Sequence, residues 1–171
     1  MIEHIEKLGC VLPPDMFTCR PCGEAQASGG WVFDNKVEGE FKPQVVLCED
    51  KPLTQTMVNH TLAHELIHAF DQCRNKVNWN NCLHHACSEI RAANTSGECG
   101  YWQEFLRGHP EWGGQQQVCV KRRAELSLKG NPACAHKVRG GLPAFVQARE
   151  YVQAAFKSCY YDTEPYDKNP W

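Results

Sequence analysis

The hydrophobic positions of this chain change period several times, and each change marks an element. Ile2, Ile5 and Leu8 recur at helical spacing, which predicts a short amphipathic helix over residues 1–8. Residues 9–28 hold Pro13, Pro14, Pro21 and Gly23 without a sustained period and read as loop. Two apolar, β-branched and aromatic runs follow, Gly30–Asp34 and Gln44–Cys48, and each predicts a strand. Residues 35–42 between them are polar and rich in turn formers. Pro52, one residue before Leu53, suits the opening of a helix. That helix is expected from Leu53 to Arg74, with a break at Asn78–Asn81. A second runs from Cys82 to Asn94 and stops at Ser96-Gly97. Helical spacing returns over Cys99–Leu106, Gln115–Leu128 and Pro143–Cys159, while residues 108–114 are a loop and 162–171 an irregular tail. No internal repeat interrupts the order. The expectation is one α+β domain over 1–171, mostly helical, with a small β-sheet.

Composition narrows what such a domain does. Eighteen Lys and Arg against twenty Asp and Glu give a net charge of −2, so the basic footprint of a nucleic-acid binder is missing. The run Lys121-Arg122-Arg123 is short and reads as a solvated helix face. No apolar run approaches the ~18–20 residues of a membrane span. The opening Met-Ile-Glu-His-Ile-Glu-Lys has neither a signal-peptide core nor an Arg-rich, acid-poor presequence. Contact with a membrane is therefore expected to be peripheral.

The eleven cysteines pull the other way. Cys19-x-x-Cys22 has no second such pair to complete a four-thiolate metal site, and Cys82 with Cys87 is a poor substitute. Scattered over the chain, they fit a disulfide framework with one thiol left over. The expectation is an oxidising compartment reached without a cleaved signal.

The chemistry lies in His64-Glu65-Leu66-Ile67-His68. Residues four apart share a helix face, so His64 and His68 can both reach one tetrahedral zinc. Glu65, beside the first histidine, is the candidate general base that takes a proton from the attacking water. A catalytic zinc normally takes three protein ligands. Asp71, His84, His85 and Glu89 are the residues on offer. Asp71 continues the same helix and reads as a supporting or helix-terminal partner. Glu89 sits on a separate helix whose Ala86, Ala92 and Ala93 would let it approach closely, and it is the preferred third ligand. His84 or His85 is the alternative. Arg91 and Tyr101 are the candidates for stabilising the oxyanion. Either strand could bind extended substrate by edge pairing.

These residues resemble a known family. His64-Glu65-Leu66-Ile67-His68-Ala69-Phe70-Asp71, Ala86-Cys87-Ser88-Glu89-Ile90-Arg91-Ala92-Ala93-Asn94, Ser96-Gly97, Cys19-x-x-Cys22, Val46-Leu47-Cys48, Cys119-Val120-Lys121-Arg122-Arg123-Ala124 and Phe156-x-x-Cys159-Tyr160-x-Asp162 appear in order. They are similar to the mitochondrial inner-membrane metallopeptidases that process and help assemble ATP synthase. The resemblance runs from about Gly9 to Asp167. It implies a zincin-like fold with one zinc per chain, and a peripheral place on the inner membrane facing the intermembrane space. It also implies entry through an oxidative import machinery that closes disulfides, which reconciles the cysteines with the missing signal. The implied partner is the precursor of the proton-channel subunit of ATP synthase, whose N-terminal propeptide is removed. An alternative within the same resemblance is an assembly chaperone for the membrane sector with little or no required proteolysis.

Overall fold

The computed structural model describes residues 1–24, 27–33, 43–135 and 144–170. The chain forms two compact units, Met1–Asn75 and Lys76–Trp171. It is α+β, mostly helical, with one three-stranded sheet and five disulfides.

In the first unit, α1 (Ile2–Lys7) presents Ile5 to the core, as its spacing requires. The strands are β1 (Phe17–Arg20), β2 (Gly29–Phe33) and β3 (Pro43–Cys48), in the order β1-β3-β2. β3 is the centre. It pairs parallel with β1 (Phe17 opposite Val45) and antiparallel with β2 (Trp31 opposite Val45). Val45 and Val46, successive residues on opposite faces, are both buried, as expected of a strand covered on both sides. β1 falls inside the stretch expected to be loop. It is four residues long and mostly exposed, so no burial pattern was imposed on its sequence. Asp34 and the polar segment 35–42 lie outside the described residues.

The long helix α2 (Gln55–Asn75) packs on β2 and β3. It starts later than the proline suggests because Thr54 caps it. The Thr54 hydroxyl accepts the Met57 N–H at 3.2 Å and its carbonyl takes the Val58 N–H at 3.0 Å. Gly29 allows the close approach of helix and sheet. A Cβ there would stand 2.5 Å from the Val46 carbonyl oxygen and 2.8 Å from Thr61 Cγ2 on α2. The core joins Ile5, Met16, Val45, Ala69 and Phe70, with Trp31, Leu62 and Leu66 at its margin. Cys10–Cys73 ties the segment after α1 to the last turns of α2, and Cys22–Cys48 ties the segment after β1 to the end of β3.

The second unit is helical: α3 (Cys82–Thr95), α4 (Tyr101–Leu106), α5 (Gln115–Gly130), the single turn α6 (Pro132–Ala135) and α7 (Ala144–Tyr160). Asn81 caps α3, accepting the Leu83 N–H at 3.0 Å. Gly97, at φ 85°, lets the chain leave α3 through a left-handed turn. α3, α5 and α7 pack against one another around Ile90, Val120, Leu128 and Val152. Ala86 and Ala93 belong to this core, so the small face of α3 serves its packing within its own unit. Three disulfides reinforce it: Cys82–Cys134, Cys87–Cys159 and Cys99–Cys119. The tail is irregular over 162–170 but held: Arg91 donates to the carbonyls of Asp162 and Glu164, and Asn169 donates to Asn94 Oδ1 at 2.7 Å. No helix among the described residues is long and apolar enough to cross a membrane.

Candidate metal centre and active site

α2 carries His64, Glu65 and His68 in its C-terminal half, where the helix turns most of its residues inward. His64 is half-buried, while Glu65 and His68 are buried. The two imidazole rings meet edge to face with centroids 4.8 Å apart, and their ligand nitrogens lie within 4.8 Å of each other. One helical turn thus places them as two ligands of a single ion are placed. Asp71 is also buried, one turn further on, and faces the Arg74 guanidinium at 3.9 Å. Arg74 lies over the Phe70 ring, 5.5 Å from its centroid, so Asp71 and Arg74 belong to the helix end.

In the second unit Glu89 is buried on α3, and its surroundings hold it in one orientation. Its Oε1 accepts from the Ser127 hydroxyl at 2.5 Å and contacts His85 Nε2 at 3.1 Å. The His85 tautomer follows from Asn131. That side-chain amide donates through Nδ2 to the Trp79 carbonyl at 2.9 Å, and its Oδ1 accepts the Ala133 N–H at 2.9 Å. Both partners fix which end of the amide is nitrogen. The same Nδ2 lies 2.8 Å from His85 Nδ1, which must then accept. His85 Nε2 therefore carries the proton and donates it to Glu89. Trp79 closes the arrangement, its ring edge-on to His85 at 5.6 Å.

His85 is the partner of Glu89. His84 is exposed and accepts the Asn78 N–H at 3.3 Å through Nδ1. His64 and His68 on α2 and Glu89 on α3 offer two imidazoles and a carboxylate, residue types that hold divalent metal ions.

Residues 1–167 match the sequence model of the peptidase M76 family. The chain belongs to that family. It is 39% identical over 165 residues to the "Mitochondrial inner membrane protease atp23" of Schizosaccharomyces pombe, covering 96% of this chain and 80% of the relative. It is 40% identical over 148 residues to the ATP23 protease of Mycosarcoma maydis (86% and 64%), and 35% identical over 171 residues to that of Meyerozyma guilliermondii (98% and 63%). The chain therefore spans less than two thirds of the latter two relatives. No solved structure matches it.

M76 is a metallopeptidase family, and the paired imidazoles on α2 are chemically suited to a divalent cation. Of the oxyanion candidates, Arg91 holds the tail with its guanidinium and pairs with the Asp162 carboxylate. Tyr101 stacks on Trp112, with centroids 3.9 Å apart. Sequence reading did not reach Ser127 and Asn131. They lie on and just after α5, some forty residues from their partners, with no local pattern to mark them. The His85–Glu89 contact was findable, because those residues are one helical turn apart.

Proposed function

We propose that this M76 peptidase is a zinc-dependent endopeptidase of the mitochondrial inner membrane, acting on its intermembrane-space side. Its substrate would be the precursor of the ATP synthase proton-channel subunit, whose N-terminal propeptide it removes, and it would assist assembly of the membrane sector. The observation that carries the peptidase reading is the buried Glu65 next in sequence to His64, whose ring meets that of His68 on one helix face. A binding module has no use for that carboxylate. His64, His68 and Glu89 would hold the ion, and the ion when bound supplies Lewis acidity toward the scissile carbonyl and the attacking water. Glu65 takes the proton from that water and passes it to the leaving amine. Ser127 and His85 hold one oxygen of Glu89 in place.

For extended substrate, β1 and β2 are the strands at the edges of the sheet. β3 has neighbours on both edges and cannot add another. β2, packed on α2, has β3 on one side only among the described residues. Its outer edge, on the strand packed against the helix that carries the histidines, would offer main-chain pairing to an extended substrate.

Glu65→Gln tests the reading. It preserves size and leaves the histidines alone, so bound zinc should persist while propeptide cleavage falls by about 10²–10⁴-fold. Cells relying on that variant should accumulate precursor yet still assemble ATP synthase. Undiminished cleavage by Glu65→Gln would overturn the mechanism. Loss of assembly with fold and zinc intact would mean that assembly depends on the same proton transfer.

A further inference from the structure

α4 and the loop after it expose four large apolar side chains within eleven residues. Trp102 is 67% exposed, Phe105 46%, Leu106 82% and Trp112 80%. The three aromatic rings among them are joined through Tyr101. Its ring stacks on Trp112 at 3.9 Å and lies 5.4 Å from Trp102 and 6.2 Å from Phe105. Trp102 and Phe105 meet at 6.0 Å. A monomer leaves such a contiguous patch exposed only at a cost in solubility, so it marks a contact surface.

The opposite side of α4 is fixed. Glu104 is fully buried, and it accepts from Arg107 at 2.9 Å, Arg122 at 2.7 Å and Gln115 at 2.7 Å, the last two on α5. Arg107 also donates to the Glu98 carbonyl at 2.6 Å. The aromatic side chains therefore stand on a braced platform and form a ridge. Tryptophan and tyrosine pair an apolar ring with a polar N–H or O–H, which suits the boundary between headgroups and acyl chains. Arg107, half-exposed beside Leu106, stands at the rim with the acid Glu111.

We propose that the Trp102–Phe105–Leu106–Trp112 ridge is the surface by which this protein docks on a lipid bilayer, its rings seated among the headgroups. The proposal rests on the inner-membrane placement given above and names the surface responsible. It does not depend on the peptidase chemistry.

Flotation of the folded protein with vesicles of equal parts phosphatidylcholine and cardiolipin tests it, compared with the variant Trp102→Gln/Leu106→Gln/Trp112→Gln. Cleavage of a soluble peptide and thermal unfolding are measured on the same samples. The parent should float and its tryptophan emission should shift to the blue. The variant should lose at least about tenfold in vesicle partitioning, because the apolar rings are the seat of interfacial binding. Its peptide cleavage and unfolding temperature should stay unchanged. A folded variant that still floats like the parent overturns the choice of surface. A parent that does not float overturns the bilayer as occupant, as does loss by the variant of binding to an apolar helical peptide when the parent fails to float. Absence of peptide cleavage by the parent would count against the peptidase reading alone.

Discussion

The residue that asks most of its surroundings is Glu89, because a carboxylate held from one side by two donors presents the other side reproducibly. If it completes the metal centre, Glu89→Ala should abolish stoichiometric zinc, as should His68→Ala. Asp71→Ala should retain it, since Asp71 answers to Arg74. Metal analysis of the purified variants distinguishes these outcomes. Metal loss in Asp71→Ala but not in Glu89→Ala would name the wrong carboxylate. His85→Ala leaves every proposed ligand in place but removes the donor to Oε1. Outer-sphere partners of this kind are typically worth about 10–100-fold in metal affinity, which a chelator competition reads directly. Glu104 gives a second prediction at this scale. Burial pushes its carboxyl up, but hydrogen bonds from Arg107 and Gln115 and the charge of Arg122 outweigh that and hold it below the ordinary range. A carboxylate held low in the folded state stabilises it at pH above the unfolded value, and that stabilisation fades as pH falls through the folded one. Glu104→Gln should therefore cost about 1.5–3 kcal/mol near neutrality. The gap to the parent should close on acidification through and below the carboxylate range. Thermal melts at both ends of that window check the sign.

Among the elements, legibility followed burial. α2, α3, α5 and α7 were readable to within a few residues, since each buries an apolar stripe and the stripe sets the period. β3 was readable because both of its faces are covered. β1 was not, because a short and mostly exposed edge strand leaves no alternation in Phe17–Arg20. α6, four residues after the α5 cap, is too short to show a period. The histidine pair and Glu65 were visible because their spacing is local. The network around Glu89 was only half visible, because Ser127 and Asn131 reach it through tertiary folding. One element-level contact has a simple test. Gly29→Ala puts a methyl against the backbone oxygen of Val46, where only a shift of β2 can relieve it. Such overpacking costs about 1–3 kcal/mol, and urea denaturation should report it. An unchanged midpoint would show that β2 moves freely away from α2.

For the whole molecule, the eleven cysteines resolve into five bridges and one exposed thiol, Cys19. The leftover thiol expected from the odd count is thus the first member of the C-x-x-C, and its neighbour Cys22 is spoken for by Cys48. Alkylating the unreduced, denatured protein should add mass at one site, and peptide mapping should place it at Cys19. Labelling at several cysteines would show that the framework is incomplete.

The bridges also carry an instruction about order. Those of the first unit join 10 to 73 and 22 to 48. Those of the second join 82 to 134, 87 to 159 and 99 to 119. None links a residue before Asn75 to one after Lys76, so a chain threaded N-terminus first can seal its leading half while the trailing half is still in transit. No early thiol has to wait for a late partner. The same topology predicts what a single cut between residues 75 and 82 would do under denaturing, non-reducing conditions: the two halves should part as separate bands, each still internally crosslinked.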